Sequence, residues 1–225
     1  MSDRRRHRGP HPRDRRLFGS DRLDDLRWAA EDYAWLLGRN YAPGAALTLV
    51  GNRFQLHQRQ RAALMRAVCA PEQARSRCAK RVACEGRRVV VDGFNVLVTV
   101  EAALSGGLVL RGTDRLLRDL ASVHGTYRRV DETIRAIELL SGELAAASEA
   151  LWLFDRPVSN SGRIAALVRE AGWRAELADS ADRRAIELGR PLATSDGPLI
   201  DRITSHVDLT GPIVSRLADA WVVEL

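Results

Sequence analysis

A chain of 225 residues allows one large or two small domains, and an apolar fraction of 45% suffices for a substantial core. No apolar run approaches the ~20 residues a membrane span needs. The arginine-rich start lacks the apolar stretch of a secretory signal, and three cysteines (Cys69, Cys78, Cys84) do not make a disulfide framework, so a cytoplasmic protein without membrane contact is expected. The net charge of +6 is unevenly spread: residues 1–88 hold 20 Lys+Arg against 9 Asp+Glu, and residues 89–225 hold 15 against 20. Lys80 is the only lysine. A preference for arginine explains that, but not the asymmetry, which suggests a basic binding part followed by an acidic part able to hold metal ions.

Residues 1–19 carry seven arginines, two histidines and two prolines, with almost nothing apolar before Leu17. Such a stretch cannot offset its ordering entropy and reads as a disordered basic arm, or simply a solvated tail. Ser20 is placed to cap a helix over about 21–38, in which Leu23, Leu26, Ala30, Tyr33 and Leu37 share a face. Pro43 and Gly44 mark a turn. Further helices are expected over 45–51, 55–69 and 71–82, the last with Pro71 in its first turn. Residues 20–86 thus form a small all-helical domain. On its third helix Arg59, Arg61 and Arg66 lie outside the apolar face, where they either track phosphates or are merely solvated. The cysteines, with His57, include no C-x-x-C pair and read as buried structural thiols rather than a metal site.

From residue 87 apolar strands alternate with helical stretches, which argues α/β. Arg88-Val89-Val90-Val91-Asp92 is a short β-branched run closed by turn formers, the pattern of a buried parallel strand. Residues 98–112 read as an extended excursion. Thr113 or Asp114 is expected to cap a helix holding Leu116, Leu117 and Leu120. Asp131 opens a long helix with Ile134, Ile137, Leu140 and Leu144 in register. A strand ending at Asp155, a helix over 162–171 capped by Ser161, a strand from Trp173 to Leu177, a helix over 180–188 and a strand over 191–195 follow. A last pair around Val207 and Val222 closes the sheet or lies at its edge.

Ligands of open α/β sheets sit beyond the carboxyl ends of the strands. The acids placed there are Asp92, Asp155, Asp179, Asp182 and Asp196. Hard divalent cations such as Mg²⁺ or Mn²⁺ want such oxygen ligands, and two of them can clamp both oxygens of a phosphoryl displacement. A lone strand-end aspartate usually caps a turn, as Asp196 before Gly197-Pro198 would on its own. Three at equivalent strand ends, with a fourth at a helix start, point to convergence. Asn95 and Ser195 stand beside the acids. Ser159, Asn160 and Ser161, at a helix start just past Asp155, offer N–H groups and hydroxyls to a phosphate, although Ser161 alone would serve as a plain N-cap. His124, Arg128 and Arg129 precede the long helix, where they contact RNA or are solvated. No Walker loop, G-x-G-x-x-G or Ser–His–Asp order is present.

Val90-Val91-Asp92-Gly93-Phe94-Asn95-Val96-Leu97 resembles the first strand of PIN-like nuclease domains, in particular the NYN branch. Phe154-Asp155 is similar to the second strand-end acid of that branch. The run from Asp182 through Pro191-Leu192-Ala193-Thr194-Ser195-Asp196 is similar to its closing segment. The whole chain also resembles a prokaryotic family of uncharacterised activity that joins a helical domain to a PIN-like one, through Leu49-Val50-Gly51-Asn52-Arg53, Arg59-Gln60-Arg61 and Pro157 to Gly162. The resemblance implies a three-layer α/β/α PIN-like domain with a mostly parallel sheet over residues 87–225. It also implies a metal-dependent endoribonuclease with Asp92, Asp155, Asp182 and Asp196 as ligands of Mg²⁺ or Mn²⁺. Many members add an acid on a helix after the first strand, for which Asp131, Glu132 and Glu138 are the candidates. The expected substrate is RNA, including structured RNA bound by the helical domain. The alternative is a catalytically degenerate PIN-like module that binds RNA or a protein. A phosphatase using Asp92 as nucleophile typically wants a second aspartate two residues on, and Asn95 at three does not supply it.

Overall fold

The computed structural model describes residues 7–120 and 126–225. The chain begins with the helices α1 (Asp14–Leu17), α2 (Ser20–Gly38), α3 (Pro43–Arg53), α4 (Gln58–Ala67) and α5 (Pro71–Ala79). There follow β1 (Arg88–Asp92), α6 (Gly93–Leu104), β2 (Leu108–Arg111), β3 (Leu117–Asp119), α7 (Thr133–Leu144), β4 (Glu149–Asp155) and α8 (Ser161–Glu170). The chain closes with β5 (Arg174–Ala178), α9 (Ala181–Leu188), β6 (Leu192–Ala193), α10 (Gly197–Arg202), β7 (His206–Val207), α11 (Thr210–Ser215) and β8 (Trp221–Glu224).

The main sheet is five-stranded and parallel, in the order β5-β4-β1-β6-β7. Strand β1 lies at its centre, and alternation along it feeds two cores. Val89 and Val91 pack with Trp152, Phe154 and residues of α6, α7, α8 and α11. Val90 packs on the other face with Ala181 and Ala185 of α9 and Leu199 of α10. This is a three-layer α/β/α arrangement, as expected. The chain leaves β1 for β4 on one side and reaches β6 on the other, so the crevice between β1 and β6 is the topological switch point.

The second sheet, β3-β2-β8, joins an antiparallel hairpin to a parallel β8. Leu108, Leu110 and Val223 of this sheet complete the core of the helical unit, built on Leu26, Tyr33, Val50, Ala63 and Leu64. The helical unit therefore shares its core with residues beyond 87. The helix expected over 71–82 ends at Ala79, and Arg81 bridges to His206: the Val82 N–H donates to the His206 carbonyl and the His206 N–H to the Lys80 carbonyl, covering the β7 edge.

Several expectations need correction. Residues 7–19 are not a disordered arm. Leu17 and Phe18 are buried in the helical core, buried Asp14 pairs with Arg59, and Arg8 pairs with buried Glu101. Two apolar residues and two desolvated ion pairs anchor a segment whose composition reads as too polar to fold. Residues 1–6 lie outside the described residues. Pro43 opens α3 at its first position instead of ending a turn. His57 caps α4, accepting from the Arg59 N–H, while Gln60 accepts the His57 N–H, so that helix starts later than expected.

The predicted extended excursion over 98–112 is extended only from β2 onward, because residues up to Leu104 belong to α6. Its β-branched Val96, Val98, Thr99 and Val100 argue for extended structure, but the helix is buried on nearly all sides and packing overrides propensity. The helix expected after Thr113 is instead the turn and strand of the β2–β3 hairpin. Arg115 takes a left-handed conformation (φ 66°), and Asp114 accepts the Leu116 N–H. Val207 lies at the edge of the main sheet, whereas Val222 belongs to the second sheet. Of the thiols, Cys69 is buried but Cys78 is exposed.

One buried ionic network ties the parts together. Asp114 accepts from Arg77 of α5 (2.9 Å) and from both terminal nitrogens of Arg118 (2.7 and 2.6 Å). Arg77 also donates to both carboxylate oxygens of Asp201 on α10 (2.8 and 2.7 Å). Breaking a buried pair by removing one partner leaves a charge without its counterion. Arg77→Met is therefore expected to destabilise the protein by about 3–5 kcal/mol in urea unfolding. A loss below about 0.5 kcal/mol would place the junction's stability elsewhere.

Candidate acidic site at the strand ends

Asp92 ends β1 and Asp155 ends β4, two residues further along the sheet, since Asp92 pairs in register with Leu153. The Asp155 carboxylate accepts the Ala181 N–H (2.9 Å), which fastens the start of α9 over the sheet edge and sets Asp182 beside it. Ser180 caps that helix by accepting the Arg183 N–H. The fourth acid, Asp196, follows β6 and caps α10, accepting the Leu199 N–H (2.9 Å).

Short hydrogen bonds across the switch point hold this edge. The Thr194 hydroxyl donates to Asp92 (2.8 Å) and accepts the Asp196 N–H (3.1 Å). Asn95 Oδ1 accepts both the N–H and the hydroxyl of Ser195 (2.8 and 3.0 Å). From behind, buried Arg118 donates to the Ser195 carbonyl (2.8 Å). Gly93 is required at the turn from β1 into α6, because a Cβ there would overlap the Phe154 ring.

The four acids feel one another. Burial, above all, pushes the Asp92 carboxyl up to about 7; the Thr194 hydrogen bond opposes that, and the charges of Asp182 and Asp196 add to it. Asp182 is raised by burial and by the charges of Asp196 and Asp155, with Arg202 opposing. Asp92 and Asp155 are half-buried, while Asp182 and Asp196 are exposed. The result is a concentration of negative charge at the sheet edge.

The other expected site residues lie elsewhere or are engaged. Asp179 is exposed and pairs with Arg156 (3.1 Å) instead of joining the four. Asn160, left-handed at φ 71°, donates from its side chain to the Tyr127 carbonyl (2.9 Å), and the Ser159 carbonyl accepts the Tyr127 N–H. Ser161 is buried at the start of α8 and makes no side-chain cap; this loop fastens the segment around Tyr127. Arg59 is bound to Asp14. Arg61 donates to the Leu56 carbonyl and to Asn52 at the end of α3, against Gly51. Arg66 lies 3.7 Å from buried Asp119. These arginines hold the fold together and do not form an open phosphate-binding row.

Nor does a helix-borne acid join the four. Glu132 pairs with His7 (2.6 Å), Asp131 stands nearby, and Glu138 pairs with Arg135 on an exposed face. The acid on the helix directly after β1 is Glu101, which reading the sequence missed because α6 itself was missed. It is fully buried and bound by Arg8, Tyr127 and Thr133. Arg128 and Arg129 are exposed, and His124 lies outside the described residues. Thr194 and Arg118, which shape the site, were also missed. Thr194 stands inside the Thr-Ser-Asp run, but nothing local ties Arg118 to the site, because the Ser195 carbonyl to which it donates lies 77 residues further along the chain.

The four carboxylates supply the hard oxygen donors that Mg²⁺ or Mn²⁺ prefers. Among the described residues, no group of three or more His, Cys, Asp or Glu stands close enough to hold a metal ion in the present side-chain positions.

Comparison with known proteins places the chain in a family. Residues 82–212 match the family described as "Domain of unknown function (DUF5616)", more than half of the sequence, and the chain belongs to it. Residues 25–80 match the family described as "Protein of unknown function (DUF434)". The two stretches meet at Arg81, which bridges to His206 of β7. The chain is 30% identical over 146 residues to "Uncharacterized protein MJ0935" of Methanocaldococcus jannaschii, covering 63% of this chain and 70% of that protein. No solved structure matches the chain. No helix among the described residues is long and apolar enough to cross a membrane.

The raised Asp92 value has a consequence for stability. The unfolded chain ionises this group near the ordinary 3.8, whereas the folded chain does so near 7. Its penalty is absent below pH 3.8, grows as pH rises between the two values, and is complete above about pH 7. In EDTA, Asp92→Asn is expected to stabilise the protein above pH 7, by up to roughly 4 kcal/mol, and to lose that advantage toward pH 4. Urea unfolding of both proteins across this range checks it; a pH-independent difference would mean that Asp92 titrates normally.

Proposed function

We propose that this protein is a metal-dependent, PIN-like endoribonuclease that hydrolyses RNA phosphodiesters. The observation that carries the reading is the gathering of Asp92, Asp155, Asp182 and Asp196, from four separate segments, at the carboxyl edge of a parallel sheet beside its switch point. Asp92, Asp155, Asp182 and Asp196 would hold Mg²⁺ or Mn²⁺, the exposed Asp182 and Asp196 turning toward the half-buried pair. When bound, such a cation neutralises phosphate charge and lowers the proton affinity of water. The chain's own contribution is positional. Thr194 fixes the Asp92 carboxylate and the Asp196 backbone together, and Asn95 with Arg118 holds Ser195 between them. Arg202 offsets the charge at Asp182, and exposed Arg156 and Arg183 directly follow Asp155 and Asp182 in the chain, which suits a polyanionic substrate. A cytoplasmic location goes with such a substrate.

A second reading has its own support. The separation of Asp131, Glu132 and Glu138 from the four acids, and the engagement of Glu101 by Arg8, favour a catalytically degenerate PIN-like module that binds RNA or a protein without cutting.

Incubating a labelled small-RNA pool with Mn²⁺, with Mg²⁺ and with EDTA, beside an Asp92→Asn/Asp196→Asn variant, separates the two. Cation-dependent fragments that fall at least 100-fold in the variant are expected. No cutting, with equal RNA binding by both proteins, would establish the degenerate module instead.

A further inference from the structure

Two consecutive residues at the end of β4 hold the connection between β5 and α9. Asp155 pairs in register with Ala178, the last residue of β5, and only Asp179 and Ser180 then separate that strand from α9. The Arg156 N–H donates to the Ala178 carbonyl (2.7 Å). The Arg156 guanidinium donates to the Leu177 carbonyl (2.9 Å) and pairs with Asp179 (3.1 Å). Asp155 Oδ1 accepts the Ala181 N–H. Every residue from Leu177 to Ala181 except Ser180 is thus tied to Asp155 or to Arg156.

Asp182 is the next residue, close enough to Asp155 to feel its charge. The helix that carries it does not fix its own place on the sheet. The buried side chains of α9 are the small ones of Ala181 and Ala185, which offer little relief against sliding. The stagger of the helix, and with it the place of Asp182, is then set by the connection. The Arg156 tethers hold that connection without drawing on the Asp155 carboxylate. The side chains of Arg156 and Asp179 are 63% and 77% exposed, so their pairing adds little to stability. Its effect is geometric, because a planar guanidinium that meets a carbonyl and a carboxylate at once fixes two points of the chain relative to each other.

We infer that Arg156 is a positioning residue for the acidic site, with Asp179 as its counterpart: together they clamp the β5–α9 connection and so set Asp182 beside Asp155. The inference rests on the reading of the strand-end acids as a cation site. It gives Asp179, which does not join the four, a part in arranging them.

Calorimetric titration with Mn²⁺ alone tests it, because positioning and simple charge predict opposite signs. Removing a guanidinium beside an acidic site should tighten cation binding by Coulomb's law, whereas losing the clamp should weaken it. Arg156→Ala is expected to bind Mn²⁺ more weakly than the wild type by roughly threefold or more, with an unchanged urea midpoint. In EDTA, hydrogen exchange of the Ala181 and Arg183 amides, which Asp155 and Ser180 hold, should accelerate by about fivefold in Arg156→Ala and in Asp179→Ala. Tighter or unchanged Mn²⁺ binding in Arg156→Ala overturns the inference, and so does unaltered exchange in either variant. Unchanged Mn²⁺ affinity with weakened RNA binding would make Arg156 a direct phosphate contact and likewise overturn it. A wild type that binds no Mn²⁺ would instead remove the cation site itself, a result distinct from wild-type binding that is indifferent to Arg156.

Discussion

Asp114 is buried between two arginines, and much of the molecule's organisation depends on that charge being satisfied. Arg77 reaches it from the helical unit and Arg118 from the β2–β3 hairpin, and the same two guanidinium groups extend to Asp201 and to the Ser195 carbonyl. Desolvating three charges is tolerable only because each is paired at short range and hydrogen-bonded at its remaining sites. The Arg118 and Arg77 pairings hold the Asp114 carboxyl below the usual carboxylate range despite its burial. The geometric consequence is larger than the energetic one. The network fixes the segment carrying Ser195, Asp196 and Gly197, so the position of one candidate site residue depends on a helix more than a hundred residues earlier in the chain.

The acidic edge shows the opposite balance. Its carboxylates are oriented by neutral hydrogen-bond donors, and Arg202 is the cationic side chain that offsets the repulsion at Asp182. Elsewhere in the protein acids are matched closely: Asp14 with Arg59, Glu101 with Arg8, Glu149 with three arginines. A fold that pairs those carboxylates closely and leaves Asp182 and Asp196 to raise the charge around Asp92 keeps a local electrostatic cost there. Such costs are concentrated at places that bind or react. Arg59, Arg61, Arg66 and Arg77 of the helical unit, by contrast, are turned to structural partners.

The legible parts of the sequence were those in which local pattern and tertiary role agree. The β-branched run into Asp92, the strand ending at Asp155 and the cap at Asp196 all have neighbours in sequence that decide their form. Reading failed where burial reversed propensity, as in α6, whose valines favour a strand until the helix is enclosed on nearly every side. It failed again at residues 7–19, where the anchoring partners Glu101 and Arg59 lie far along the chain, and at the hairpin, where Leu116-Leu117-Arg118 fits a helical pattern as well as a strand.

By itself, then, the sequence determined the alternating α/β architecture, the central strand and the set of aspartates at strand ends, because apolar periodicity and turn chemistry act over a few residues. Only the tertiary structure decided which of those acids meet. Asp179 and Asp182 are three residues apart and equally acidic in sequence. One turns outward to Arg156, and the other is brought beside Asp155 and Asp196 by the hydrogen bond that seats α9 on the sheet edge. The fate of the arginines was decided in the same way. A guanidinium becomes a ligand-binding group or a structural strut according to whether the packed chain presents it with a carboxylate, and that partner is set by topology rather than by its neighbours in sequence.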